Sequence, residues 1–350
     1  MQDIQAARQP GRETKFGSIL TILSGMDLSY FAKAAMKIIQ FIYVKEDVEE
    51  TGKTLQQRFQ EFILDGENFA EELPEGLFRG VTFKRITIAN WHVASIHPSA
   101  LLSSQDQLET LWIWFTPMKE FPWDTLPLFT QLTSFVLVGN ELAAVRSLRS
   151  LSLQEFDVSA NHIATLESGW SAPSLTTLLM SMNPISAMPL DFFVGLRNLR
   201  EFHCFGCHLG PTLFNGSLRF HSEMLTSLEL GYNGISNIEE GAIGGITSDT
   251  MVGLEGNNIV ELKEATFRPM LEVLARGIGF LNVMDNPISC GCSMAWIVLN
   301  PDFLVRVSGY CQDGSSFRGL DPNLFEEFCI EMNPPMAGNF STWIAENVLQ

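Results

Sequence analysis

Leu132-Thr133-Ser134-Phe135-Val136-Leu137-Val138-Gly139-Asn140-Glu141-Leu142 decides the fold of this chain. Apolar residues occur here as leucine, two residues, leucine-type, one residue, leucine, two residues, asparagine, one residue, leucine. Alternation around Phe135 and Leu137 is the period of a strand, so these two point to one side while Val136 and Val138 point to the other. Asn140 follows for a different reason. Where the chain leaves the strand its backbone groups need partners, and an amide offers both donors and an acceptor.

The same five positions recur as Leu153, Phe156, Val158, Asn161 and Ile163, as Leu175, Leu178, Met180, Asn183 and Ile185, and as Leu225, Leu228, Leu230, Asn233 and Ile235. Weaker copies run through Leu108 to Met118, Val252 to Ile259 and Ile278 to Ile288, and the loosest is Phe83, Ile86, Ile88, Trp91 and Val93. Asparagine-type positions recur every 21 to 29 residues, which is the leucine-rich-repeat period. The expected fold is an α/β-type solenoid, a horseshoe of about nine coils over residues 83–288 with a concave parallel sheet. Asn140, Asn161, Asn183, Asn233, Asn257 and Asn286 form its buried ladder, and residues such as Met188, Phe192, Leu196, Leu262 and Phe267 anchor the convex side. One coil cannot bury its own leucines, so stability is a property of the stack and both ends need caps.

At the N-terminal end, Thr54 and Gln57 resemble a capping box, and Leu55, Phe59, Phe62 and Ile63 share one helical face, so residues 51–82 read as a helical cap. Residues 1–50 read as a poorly defined helical segment. Arg8, Arg12 and Lys15 precede an apolar stretch from Phe16 to Leu23, but Asp3 and Glu13 dilute the basic start, which makes a poor signal peptide. A start assigned to the wrong codon would explain both that and the lack of cysteines in the N-terminal cap. Asp27, Lys33 and Lys37 interrupt the segment from Phe16 to Val44, so no transmembrane anchor is expected.

Four of the six cysteines, Cys290, Cys292, Cys311 and Cys329, crowd into residues 289–330, which read as a stapled C-terminal cap ahead of a tail at 331–350. Cysteines one residue apart bridge each other only with strain, which leaves two cross-pairings. Zinc is the competing reading, but the second pair lacks the short separation of structural zinc ligands. Disulfides imply an oxidising, extracellular compartment, where the sequons at Asn215 and Asn339 would accept glycans. A formal charge of -18 repels phosphate backbones and anionic lipid alike, so nucleic acid is not an expected partner.

From Phe121 to Cys329 the chain resembles a crustacean leucine-rich-repeat family, named for the non-catalytic subunit of oplophorus-luciferin 2-monooxygenase. The likeness is carried by Phe121-Pro122-Trp123 with Leu126-Pro127-Leu128-Phe129, by Ser181-Met182-Asn183-Pro184-Ile185-Ser186, by Cys290-Gly291-Cys292-Ser293-Met294-Ala295-Trp296, and by Asp313-Gly314 with Leu320-Asp321-Pro322. It implies secretion, a binding or stabilising role without chemistry, a secreted protein or catalytic subunit as partner, and the pairing Cys290–Cys311 with Cys292–Cys329.

On the concave face the expected binding residues are Trp112, Trp114, Phe115, Val136, Val138, Leu179, Met182, His203, Phe205 and Tyr232, flanked by Glu155, Asp157, Glu201, Glu229 and Glu255. An aromatic strip with acidic neighbours suits a protein-binding surface. The competing expectation is a recognition module of receptor or immune type that binds glycan or lipid. His203-Cys204-Phe205-Gly206-Cys207-His208 looks like a metal or redox motif, yet Cys204 falls at an inward leucine position and Cys207 at an asparagine position, so both read as core thiols. No nucleophile pairs with His92, His97, His162 or His221, and no catalytic residue, metal or cofactor is expected.

Overall fold

A computed structural model describes residues 57–66, 71–78 and 81–331. The expected helical segment at 1–50, Thr54 and Leu55 of the expected cap, and the Asn339 sequon lie outside the described residues. The chain divides into two compact units at His162 and Ile163.

In the first unit β1 (Gln57–Asp65), β2 (Val81–Ala89), β3 (Thr110–Trp114), β4 (Ser134–Val136) and β5 (Glu155–Asp157) pair in chain order, every neighbour parallel. In the second, β6 (Thr177–Leu179), β7 (Glu201–His203), β8 (Ser227–Glu229), β9 (Met251–Gly253), β10 (Phe280–Asn282) and β11 (Val307–Ser308) do the same. Strand, crossover and parallel strand repeat with no strand skipped, which is how a solenoid gives each coil only its neighbours to pack on. Phe135, Leu137, Phe156 and Val158 in the first unit, and Leu178, Met180, Leu228 and Leu230 in the second, are fully buried, so the inward side is the one the alternation dictates. Burying each such side chain stabilises by roughly 1.5–3 kcal/mol.

The N-terminal helical cap is overturned. Gln57 begins a strand, and Phe59, Phe62 and Leu64 pair with Phe83, Ile86 and Ile88 of β2. Those three residues carry the repeat's own spacing, so this segment is a further coil in place of a helix over the first. The physical reason is that a step of three residues fits both a helical face and the first interval of the repeat. Non-local pairing decides between them, and here Phe62 packs on Phe78 and Phe83 at ring-centroid distances of 4.9 and 5.4 Å.

Ladder asparagines hold the turns that leave the strands. Asn140 donates to the Ile113 carbonyl at 2.8 Å and accepts from the Thr116 amide at 3.1 Å; Asn161 donates to Leu137 at 2.7 Å and accepts from Leu142 at 3.1 Å. In the second unit Asn183 accepts from the Ile163 amide, Asn233 donates to the Cys204 carbonyl, Asn257 accepts from the Asn233 and Ile235 amides, and Asn286 accepts from the Ile259 amide. Opposite the strands, one coil uses a helix, α1 (Glu264–Leu274), whose Phe267, Met270, Leu271 and Leu274 are buried at helical spacing. At the C-terminal end Cys290 is bonded to Cys311 and Cys292 to Cys329, and β11 carries the sheet one strand past the last repeat.

The core-thiol reading of Cys204 and Cys207 is also corrected. Both are buried on the inward side, but their sulfurs are bonded to each other, with Cα atoms 5.6 Å apart. Gly206, at a φ of +61°, supplies the sharp turn that brings two cysteines three positions apart within reach.

Candidate functional surfaces on the sheets

Each coil turns sharply out of its strand, and the residue just before the ladder position takes a left-handed backbone. Asn90, Phe115, Gly139 and Ala160 do so in the first unit, and Met182, Gly206, Tyr232, Gly256 and Asp285 in the second. Glycine, asparagine and aspartate suit that conformation, whereas a large side chain there costs about 1–2 kcal/mol. Phe115, Met182 and Tyr232 nevertheless occupy it, and their side chains are 61%, 64% and 53% exposed. Neither core packing nor backbone preference accounts for these residue types, and strained, exposed residues of this kind point to function.

Glycines in the following coil make room for them. A Cβ added at Gly139 would lie 2.5 Å from the Phe115 ring, and one at Gly256 would lie 2.7 Å from the Tyr232 ring, while Met182 lies over Gly206. The large side chains are therefore laid flat along the sheet, across bare backbone of the next coil.

In the first unit, the outward side of β3 carries Trp112 and Trp114, their ring centroids 5.4 Å apart, next to Phe115. The Trp112 indole Nε1 donates to Ser134 Oγ at 2.9 Å, and Ser134 Oγ donates to Glu155 Oε2 at 2.7 Å. This relay across β3, β4 and β5 fixes the indole and supplies the carboxylate with a donor. Arg85 on β2 faces Glu61 on β1 at 3.5 Å. Val138 is half-buried on the same side. Val136 is not the open contact residue the alternation predicts: it is 8% exposed, because it sits beside Trp112 in the ladder and the indole leans across β4 to reach Ser134.

The second unit differs in chemistry. Leu179 and His203 are half-buried on the outward sides of β6 and β7, and His203 Nε2 lies 3.1 Å from Ser227 Oγ. Phe205, 37% exposed, packs against Tyr232 with ring centroids 4.9 Å apart. Glu229 stands beside His203 in the ladder and next to Gly253. Burial, and then the nearby Glu255 carboxylate, raise the Glu229 pKa to about 6. Glu255 accepts from Asn282 Nδ2 at 3.2 Å. Among the described residues no ion pair involves either glutamate. Asn215 is exposed on a different side of this unit, its amide donating to the Glu240 carbonyl at 2.6 Å.

Nine of the ten sequence-derived contact residues thus stand at least partly open on an outward sheet face, five of them on the second unit, and Val136 is the exception. Sequence reasoning overlooked the glycines beneath them. The signal was available, since Gly139, Gly206 and Gly256 each immediately precede a ladder position.

Parallel strands stepping coil by coil, a buried amide ladder and a cysteine-bonded end define a leucine-rich-repeat solenoid. No family model matches the chain. It is similar to the oplophorus-luciferin 2-monooxygenase non-catalytic subunit of Oplophorus gracilirostris, 25% identical over 299 residues that cover 77% of this chain and 76% of that protein. Among solved structures it is similar to a chain in the octameric complex of Latrophilin 3, Unc5D and FLRT2 (LRR), with a TM-score of 0.59 and 21% identity over 73% of this chain and 79% of that one. The second likeness concerns the fold alone. No helix among the described residues is long and apolar enough to cross a membrane.

Proposed function

We propose that this chain is a non-catalytic extracellular scaffold or accessory subunit that docks a protein partner on the outward face of its sheets. The observation that carries the proposal is the exposure of Phe115, Met182 and Tyr232 in a backbone conformation unfavourable to them. Likeness to a protein named as a non-catalytic subunit supports an accessory role. The bonded cysteines support an oxidising compartment, where Asn215 would carry a glycan.

Recovery of a partner from the source tissue tests it, using the whole chain and variants with Trp112, Trp114 and Phe205 changed to Ala. Loss of the partner with retained folding is expected. Undiminished recovery would defeat the placement of the site, and saturable binding on a glycan or lipid array would favour the recognition-module alternative.

A further inference from the structure

The second unit's sheet face holds two carboxylates and two aromatic rings over a floor without side chains. A Cβ added at Gly253 would collide with Glu229 Oε2 and stand 2.9 Å from Glu255 Oε2, so both acids reach over one bare backbone position. One added at Gly231 would stand 2.8 Å from Glu255 Oε1 and 3.1 Å from the Phe205 ring, so Glu255 also borders the Phe205–Tyr232 pair. Among the described residues no ion pair engages either acid and Asn282 donates to Glu255; His203 is the ladder neighbour of Glu229 on β7, with Glu201 diagonal to it, Glu255 lies on the other side, and the outward residues of β6 to β10 include no lysine or arginine.

We infer that this shallow depression receives an arginine side chain of the docked partner, its guanidinium stacked on Phe205 and Tyr232 and forked onto Glu229 and Glu255. The inference rests on the docking proposal above and deepens it. Several properties of the guanidinium match the depression. It is planar, it stacks on aromatic faces, and it presents parallel donors to carboxylates, which an ammonium or a metal ion does not. Glycine at 231 and 253 leaves the acids reachable from above. Charge complementarity favours the same occupant: burial first and the Glu255 carboxylate second raise the Glu229 pKa, and a cation placed between the two acids offsets the second of these. Binding should then strengthen as pH rises through the titration of Glu229.

The test uses full-length protein with carbon-13 methyl-labelled methionine and two end-capped peptides, Gly-Arg-Gly-Arg-Gly and the same peptide with citrulline at both arginines. Met251 on β9 and Met284, whose amide donates to Asn282 Oδ1, lie on this face and report binding, while Met224 lies outside the strands beside Val194, Arg197 and His221 and serves as control. A saturable shift with a midpoint on the order of 1 mM is expected for the arginine peptide, about tenfold tighter than for citrulline. The ratio should collapse in Glu229→Gln with Glu255→Gln, persist in Glu261→Gln with Glu272→Gln, and fall between pH 7.5 and pH 5 in both the native chain and His203→Gln. Equal affinity for the two peptides, no saturation by ~5 mM, or equal loss in both glutamine pairs would overturn the arginine assignment. Should Phe205→Ala with Tyr232→Ala release the tissue partner while Glu229→Gln with Glu255→Gln retains it, the docking proposal stands and the arginine assignment falls. Retention by both pairs defeats docking on this unit.

Discussion

The two units are each built on the same kind of interior and present two different exteriors. Inward, Leu137 of the first and Leu230 of the second are both 0% exposed, and the ladder amides beside them make the same kinds of hydrogen bond. Outward, the first unit supplies its polar groups from within: Trp112, Ser134 and Glu155 form a closed relay, and Arg85 faces Glu61. The second leaves Glu229 with a raised pKa and, among the described residues, no ion pair. The stack dictates the inward residues, since a coil lacking them cannot pack on its neighbours. It places no demand on the outward ones beyond solubility, so what they share or lack is informative about use.

If the interiors are equivalent, Leu137→Ala and Leu230→Ala should each destabilise by about 2–5 kcal/mol, read as the loss in chemical unfolding of the affected unit. A cost confined to one unit would break the equivalence. Next in size is the glycine shelf. Gly139→Ala and Gly256→Ala should each cost about 1–3 kcal/mol, because the backbone is left-handed and the added carbon meets the Phe115 or Tyr232 ring. Repeating Gly256→Ala in a Tyr232→Gly background should recover part of that loss, which separates the ring contact from the backbone penalty.

A smaller effect sharpens the difference between exteriors. Burial and the Glu255 carboxylate raise the Glu229 pKa from its ordinary 4.5 to about 6, so the folded state binds the extra proton between those values. Stability therefore falls as pH rises through that window, and the penalty is complete above it. Discounted for solvent screening, it amounts to about 1 kcal/mol. Glu229→Gln should abolish this slope and raise the melting temperature at pH 7.5, whereas a slope left unchanged would place the titration elsewhere. Smallest of all, Phe115→Gly and Tyr232→Gly should alter stability by less than about 1 kcal/mol, since relief of the backbone offsets the lost contacts and the added chain entropy.

Much of this is legible in the sequence alone. Alternation around an asparagine suffices to assign Phe135, Leu137, Leu228 and Leu230 inward, because the strand period is local. Phe59, Phe62 and Leu64 were not assignable in the same way. Their first interval also suits a helix, and only pairing with Phe83, Ile86 and Ile88 some two dozen residues away settles the matter. The repeat register puts Cys204 and Cys207 inward but does not show them bonded, since their meeting depends on the turn at Gly206. The burial of Val136 is not legible locally, because it comes from an indole on the neighbouring strand. The acidic depression was visible only as scattered glutamates, since their convergence requires knowing that Gly231 and Gly253 lie beneath them.

Hydroxyl-radical footprinting of the isolated chain and of its native assembly tests the docking claim most directly. Phe115, Met182 and Tyr232 should be oxidised readily in the isolated chain and protected in the assembly, while Leu151, Leu190 and Phe214, exposed away from the sheet faces, react equally in both. Protection of the second set with continued oxidation of the first would contradict it.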